Sequence, residues 1–461
     1  MNKTLFTLAA AALLAGCSLA PTYQRPDSPV AAAWPQGEAY KPANTAADAK
    51  PASEIAWQDF IGDQQLREVV ELALKNNRDL RVSALNIEKA RAQYGIDRSA
   101  QLPKVNAQVG QSAARAPGGD ISRQYTGGLA IPAYELDLFG KLRNSSEAGL
   151  QTYLGTQEAQ RAQRLSLVAE VASTWLGLAA DKERLLLAQD TLKSQQVTFE
   201  LSKRRFESGA TSGLDMYEAQ TSVEAARNDM ALYTAQVAAG ENALALLVGT
   251  QVPASLLPQA LPSAVSTLAE LPEGVPSSVL LQRPDVLEAE HTLRAANANI
   301  GVARAAFFPS ITLTGTAGSA SSSLGNLFKA GTGAWTFLPQ LTLPLFDSGA
   351  NKARLDIAKA DNGIAVARYE KAIQSAFREV ADALAQRGTL DERVESQTAL
   401  TEAASRSYRI HEARYQKGAE SYLNALVSQR TLYAAQQSLI SVRLAKATNQ
   451  VTLYKVLGGW A

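Results

Sequence analysis

Apolar residues recur along this chain at two periods, and the two alternate. Val171, Leu178, Leu185, Leu192, Phe199 and Phe206 fall seven residues apart, as do Met216, Val223, Met230, Val237 and Leu244. A sustained seven-residue seam predicts helices lying side by side as in a coiled coil, whereas a globular core helix carries a broader 3.6-residue stripe. Proline shows where such helices can run: none lies between Pro132 and Pro253, and none follows Pro344. Proline costs about 3 kcal/mol inside a helix, so both stretches are predicted to be nearly all helical. At the α-helical rise, the span 142–207 would be about 100 Å long. It breaks at Ser208-Gly209-Ala210-Thr211-Ser212-Gly213, mirrored by Lys417-Gly418-Ala419-Glu420-Ser421. Glycine suits the left-handed helix end, and Ser212 with Asp215 three residues on reads as a capping box opening the returning helix.

The second period is two. Ile311, Leu313, Gly315 and Ala317 alternate with Thr312, Thr314 and Thr316. One face is apolar and the other polar, as a membrane-barrel strand requires. Strand character covers 105–115 and 122–139 around Pro117-Gly118-Gly119-Asp120, then 310–322 and 333–346 around a Gly/Ser-rich loop.

The whole pattern is written twice. Residues 78–105 align without a gap on 284–311, so that Asp79 meets Asp285, Gly95 meets Gly301 and Arg98 meets Arg304. A second block repeats at an offset of 209: Glu170-Val171-Ala172 matches Glu379-Val380-Ala381, Gly209-Ala210 matches Gly418-Ala419, and Gly249 matches Gly458. One architectural unit is used twice, which favours a tunnel or scaffold over a single cleft. The resulting division is a leader at 1–16, an extended proline-rich segment at 17–60, a first repeat at 61–249, a linker at 250–276 and a second repeat at 277–461. The first repeat holds a helix, a hairpin at 104–139, a long helix at 142–207 and a returning helix at 212–248. The second holds a helix, a hairpin at 310–346, a long helix at 350–417 and a returning helix at 421–457. The predicted class is mainly α with a β-barrel part, internally duplicated. Four strands cannot close a barrel, and an open edge in lipid leaves backbone groups unpaired, so the chain must oligomerise. Two copies would give eight strands around a filled interior; three would give twelve around a lumen, and a duct favours three.

The ends and the composition narrow the setting. Lys3, an apolar run from Leu5 to Leu14 and Leu14-Ala15-Gly16 before Cys17 read as an export signal with a lipoprotein cleavage box. Cys17, the one cysteine of the chain, is then the expected site of acylation, a covalent lipid rather than a cofactor. Ser18 follows where bacterial lipoproteins held at the inner membrane usually carry Asp, which points to the outer membrane. Loss of Lys3 leaves 44 basic against 44 acidic residues, a balance that gives no electrostatic case for nucleic acid. Beyond residue 16 no run of 18 apolar residues exists for a membrane helix, so any crossing would use strands.

Four strings carry a resemblance: "LLQRPDVLEAEHTLRAANANIGVARAAFFPSITLTG" from Leu280, "YELDLFGKLR" from Tyr134, "FREVADALA" from Phe377 and "LYKVLGG" from Leu453. They resemble the TolC outer-membrane efflux family, and within it the lipid-anchored branch typified by OprM. The resemblance implies a homotrimer with a 12-stranded barrel in the outer membrane and a periplasmic tunnel of helices. Such a tunnel docks to a periplasmic adaptor and to an inner-membrane pump of the resistance-nodulation-division type. It further implies that Gly209, Ala210, Gly418 and Ala419 are the tip residues meeting the adaptor. In the family, rings of side chains close the resting tunnel above these turns, and carboxylates of the second repeat commonly take part. Here Asn424 and Val427 stand at those positions, and the acids fall in the first repeat, at Asp215 and Glu218. The expectation is therefore an apolar constriction of Leu423 and Val427 beside a polar network of Asp215, Glu218 and Arg430.

No catalytic or metal constellation stands out. "HEARY" at His411 lacks the second histidine of a zinc site, His291 aligns with Leu85 of the other repeat, and no phosphate loop exists. Transport would therefore be passive. The resemblance implies an efflux duct for drugs and other toxic small molecules, with a heavy-metal duct or a type I protein-secretion duct as the alternatives and a lipid-anchored scaffold without a pore as the non-transport reading.

Overall fold

The structure, a computed structural model, describes residues 18–41, 52–261 and 277–459. The leader, Cys17 and most of the linker lie outside the described residues. The main elements run α1 (Gln64–Asn76), α2 (Arg78–Ser99), β1 (Asn106–Arg115), β2 (Ile121–Leu136), α3 (Lys141–Glu207), α4 (Gly213–Val248), α5 (Pro284–Ala305), β3 (Ser310–Ser321), β4 (Gly333–Thr342), α6 (Ala350–Gln416) and α7 (Tyr422–Val456). Both long helices contain 67 residues. The chain divides into two compact units, one of residues 1–27, 85–158 and 287–371, the other of 28–84, 159–286 and 372–461.

The first unit holds a four-stranded antiparallel sheet in the order β1-β2-β3-β4. Strands β2 and β4 stop short of the predicted 139 and 346, because Asp137-Leu138-Phe139 and Pro344 lead into the caps of the following helices. Asp137 accepts from the Arg143 amide and Asp347 from the Asn351 amide. The register places Val109, Leu129, Ala317 and Trp335 on one face and Gln108, Thr126, Thr316 and Thr336 on the other. A register shift between Ile131 and Tyr134 falls at Pro132, where a residue without an amide proton is best tolerated. The shift moves the apolar face from odd to even residues, so Tyr134 and Leu136 rejoin it opposite Leu313 and Ile311. Gly128 and Gly318 face each other across β2 and β3, and a Cβ on either would lie 2.6 Å from the other's Cα. Side chains there would collide on the polar face, so that face is the concave one.

The chain after the leader is strapped onto the same unit. Ser18 donates to Asn144, Asn297 to the Pro21 carbonyl and Arg304 to the Leu19 carbonyl. Glu290, 3% exposed, accepts from Tyr23, Arg25 and Arg294. Burial alone would raise its pKa; the two guanidinium groups outweigh that and hold the carboxyl below its ordinary value.

In the second unit the duplication is legible bond by bond. Asn77 interrupts the first helical stretch, its amide donating to the Leu247 carbonyl while its Oδ1 caps the Leu80 amide. At the matching place in the other repeat, Arg283 precedes Pro284 and donates to the Val456 carbonyl. One tertiary hydrogen bond has thus been kept by two different side chains. The Arg283 guanidinium is buried and is balanced by Asp285 and Glu379, at 2.7 and 2.8 Å. The heptad seam packs as its period predicts at Val171, Leu178, Leu192, Val223 and Leu244, all buried, whereas Phe206 at its end is exposed.

Candidate functional site

The turns that end α3 and α6 are built alike. In each, a glycine with φ near 75° follows the helix: Gly209 donates to the Phe206 carbonyl and Ala210 to Arg205, while Gly418 donates to Tyr415 and Ala419 to Arg414. Paired bonds of this type satisfy the last carbonyls of a helix and need a left-handed residue, which glycine adopts without a Cβ penalty. All four residues are exposed, and an added Cβ at either glycine would meet nothing within 4 Å. Conformation therefore explains the glycines and leaves the surface around them open to a partner. Ser212 takes an extended N-cap backbone before α4, yet its side chain makes no capping hydrogen bond, so the expected capping box does not form. Asp215 still places a negative charge in the first turn, where the helix dipole favours it.

Behind the turns the two repeats diverge. Phe206 lies over Gly213, 3.4 Å from where a Cβ would sit, and is 43% exposed. Its counterpart Tyr415 lies over Tyr422 instead, at 5.3 Å between ring centroids, and both tyrosines are buried. They form a small core with Ala219, Ala425 and Leu426, against which Phe199 packs, so Tyr415 and Tyr422 join the first hairpin to the second. Arg205 stacks over the Tyr415 ring at 5.0 Å. Burial pushes the Tyr422 phenol up to about 12, keeping it neutral at every physiological pH.

Glu420 is the hub of the second turn. It accepts from His411 Nδ1 at 2.9 Å, from Arg414 Nε at 3.2 Å and from the Asn424 amide at 2.8 Å. The bonds from His411 and Asn424, with the Arg414 charge, hold its carboxyl below the ordinary range. Asn424 is thus bound to an acid one turn earlier, and the second repeat does carry a carboxylate at its turn. Leu423, Val427 and Arg430 share an exposed face of α7, with Leu423 50% and Val427 54% exposed. Within the single chain no ion pair joins Asp215, Glu218 and Arg430 among the described residues.

Tyr415 and Tyr422 escaped the reading of the sequence, as did the pairing of His411 with Glu420. The signal was present in the repeat itself, because Tyr415 stands where the first repeat has Phe206, and Tyr422 where it has Gly213. His411 pairs with Glu420, and His291 bonds Gln151 at 2.7 Å.

No helix among the described residues is long and apolar enough to cross a membrane. The sheet, by contrast, exposes Val109, Leu129, Trp335, Phe337 and Leu341 on one face. A family model described as "outer membrane efflux protein" matches residues 69–250 and 275–459. This chain belongs to the outer membrane efflux protein family. The chain is 46% identical over its full length, and over 96% of the relative's, to a toluene efflux pump outer membrane protein, TtgC, of Pseudomonas putida. It has the same identity and coverage with the antibiotic efflux pump outer membrane protein ArpC of Pseudomonas putida. Among solved structures, the open state of the MtrE outer membrane channel of Neisseria gonorrhoeae superposes with a TM-score of 0.86 at 38% identity, over 96% of this chain and 98% of that one. Efflux channels of the outer membrane thus supply the frame for the sheet and the turns, and the family is one of channel proteins rather than of enzymes.

Proposed function

We propose that three copies of this chain form a passive duct through the outer membrane, closing twelve strands into one barrel. The duct discharges apolar toxic compounds delivered by an inner-membrane pump of the resistance-nodulation-division type through a periplasmic adaptor. The observation that carries this reading is the pair of free sheet edges. Strands β1 and β4 are the outer strands of the sheet, each ten residues long, and each has one row of backbone groups without a strand partner among the described residues. In lipid every such group costs several kcal/mol, and edge pairing of β4 with β1 of a second copy satisfies both rows at once. Heptad-spaced apolar residues left exposed, Ile357 and Ile364 on α6 with Val82 and Ile96 on α2, support lateral packing of helices between copies. Toluene and antibiotics in the relatives' names support apolar or amphiphilic cargo.

In this reading Cys17 carries the lipid, and Gly209, Ala210, Gly418 and Ala419 meet the adaptor. Leu423 and Val427 line the constriction. Threefold symmetry turns Asp215, Glu218 and Arg430 into rings of charge whose pairing is between copies. Conductance of reconstituted protein in planar bilayers tests the constriction: Leu423→Ser with Val427→Ser raises it, and unchanged conductance places the constriction elsewhere. A deletion strain tests the cargo. Sensitisation to toluene and apolar antibiotics is expected, whereas sensitivity confined to metal salts, or loss of a secreted protein alone, would replace this cargo with another.

A further inference from the structure

The β3–β4 loop packs against one face of the sheet. Residues 322–332 form a hydrogen-bonded structure of their own: Asn326 donates to the Ser323 carbonyl, Leu327 to Leu324, Lys329 to Asn326 and Thr332 to Lys329, while the Thr332 hydroxyl bonds the Leu327 and Lys329 carbonyls. The loop sits where β3 ends, at the strand ends remote from those that lead into α3 and α6. Its seat is Gly127. A Cβ there would lie 3.3 Å from the Phe328 ring and 3.4 Å from a Leu327 methyl. Gly127 pairs with Val109 and Ser319, two residues before Leu129, and so belongs to the apolar face that carries Val109, Leu129 and Trp335. The loop therefore folds down the convex, apolar side of the sheet and away from the concave polar one.

Its side chains divide accordingly. Leu327 is 1% exposed and fixes the loop to the sheet, whereas Phe328 is 78% exposed, with Leu324 and Lys329 also exposed. A buried knob, an exposed aromatic ring and an adjacent cation form the chemical pattern of an interfacial anchor: the ring enters the acyl boundary and the ammonium reaches the phosphate level. We infer that this loop is a lipid-binding foot, with Phe328 and Leu324 inserted among the acyl chains of the outer leaflet and Lys329 at its anionic head groups. Lipid is the occupant because the loop prolongs the apolar face that the proposed function puts in the outer membrane. The inference rests on that placement of the sheet.

Spin labels attached by single cysteines test it in the full chain carrying Cys17→Ser, reconstituted in vesicles of phosphatidylethanolamine and phosphatidylglycerol. Phe328→Cys is the reporter, Asn326→Cys the polar reference in the same loop, and Leu129→Cys the reference on the sheet. Expected is a ratio of oxygen to nickel-chelate accessibility several-fold higher at 328 than at 326 and close to that at 129. Adding Gly127→Val, which crowds the seat, should lower the ratio at 328 and leave that at 129 unchanged. A label at 328 as open to the nickel chelate as at 326, while 129 stays in lipid, overturns the foot. One closed to both reagents at 328 means that a neighbouring chain covers it and overturns it equally. A label at 129 open to the chelate would instead sink the membrane placement of the sheet.

Discussion

Glu290 shows what a single side chain does in this molecule. It is buried, and it joins the strap at Tyr23 and Arg25 to α5 through Arg294. Removing one partner of a buried pair costs about 3–5 kcal/mol. Both arginines here keep partial access to water, at 44% and 39% side-chain exposure, so Glu290→Gln is expected to cost about 1–2 kcal/mol, concentrated in the strap. Hydrogen exchange at residues 18–25 should rise in that variant and stay unchanged along β2. The pH dependence has a definite sign. A carboxyl whose pKa is lower in the folded state stabilises fully above its unfolded value of 4.5, and the contribution fades as pH falls through the folded one. Strap protection should hold from neutrality to about pH 5 and weaken below the unfolded value; protection that is flat down to about pH 3 would remove Glu290 from this role. At the tip, Asn424→Asp sets a second carboxylate against Glu420 and loses the amide donor. Faster exchange in the second turn is expected at neutral pH, with recovery as the pair takes up a proton; an effect independent of pH would point to lost packing instead.

At the scale of elements, the hairpin turns and the helix seam make separate demands. A left-handed backbone costs a residue with a Cβ about 1–2 kcal/mol. Gly209→Ala and Gly418→Ala should therefore each loosen one turn by about that amount, read by exchange at the turn amides. Neither glycine has side-chain neighbours to lose, so a much larger effect would mean that the turn conformation is tied to more than its own hydrogen bonds. Leu192 belongs to the other class: it packs on Val223 and Ala226 across the first hairpin. Leu192→Ala should cost about 2–4 kcal/mol as a cavity in a well-packed seam, measured by denaturant unfolding of the purified protein.

These residues also show how far the sequence could be read. The heptads and the proline-free stretches set α3, α4, α6 and α7 with ends within a residue or two of the structure, because helical hydrogen bonds are local and proline is their main obstacle. The β2 bulge at Pro132 and the break at Asn77 were not legible, because each depends on what a distant strand or helix carbonyl offers. The matching turns at Gly209-Ala210 and Gly418-Ala419 were legible from the duplication, whereas their role as a tip came only from the resemblance. The tyrosine core behind them was missed, although the exchange of Gly213 for Tyr422 between repeats marked it.

At the scale of the molecule, the free edges of the sheet make a prediction about assembly. A proline placed in β1 on the side facing away from β2 removes an amide needed only by a second chain. For the trimer proposed above, size determination in detergent should show assembly lost and the monomer's helical content kept; assembly unchanged by the proline would mean that edge pairing does not hold the copies together. The duplication itself needs no partner to be seen, since two repeats of one hairpin-and-helices unit are spelled out in the order of residues. Periodicity by itself determined the helices, the four strands, the turn glycines and the two-fold reuse, because each follows from local preference and the spacing of apolar side chains. Only the tertiary structure decided which face of the sheet is concave, that Asn424 is bound to Glu420, that Tyr422 ties the hairpins together and that the β3–β4 loop folds outward. Those facts rest on contacts between residues far apart in the chain, and no local rule about sequence carries them.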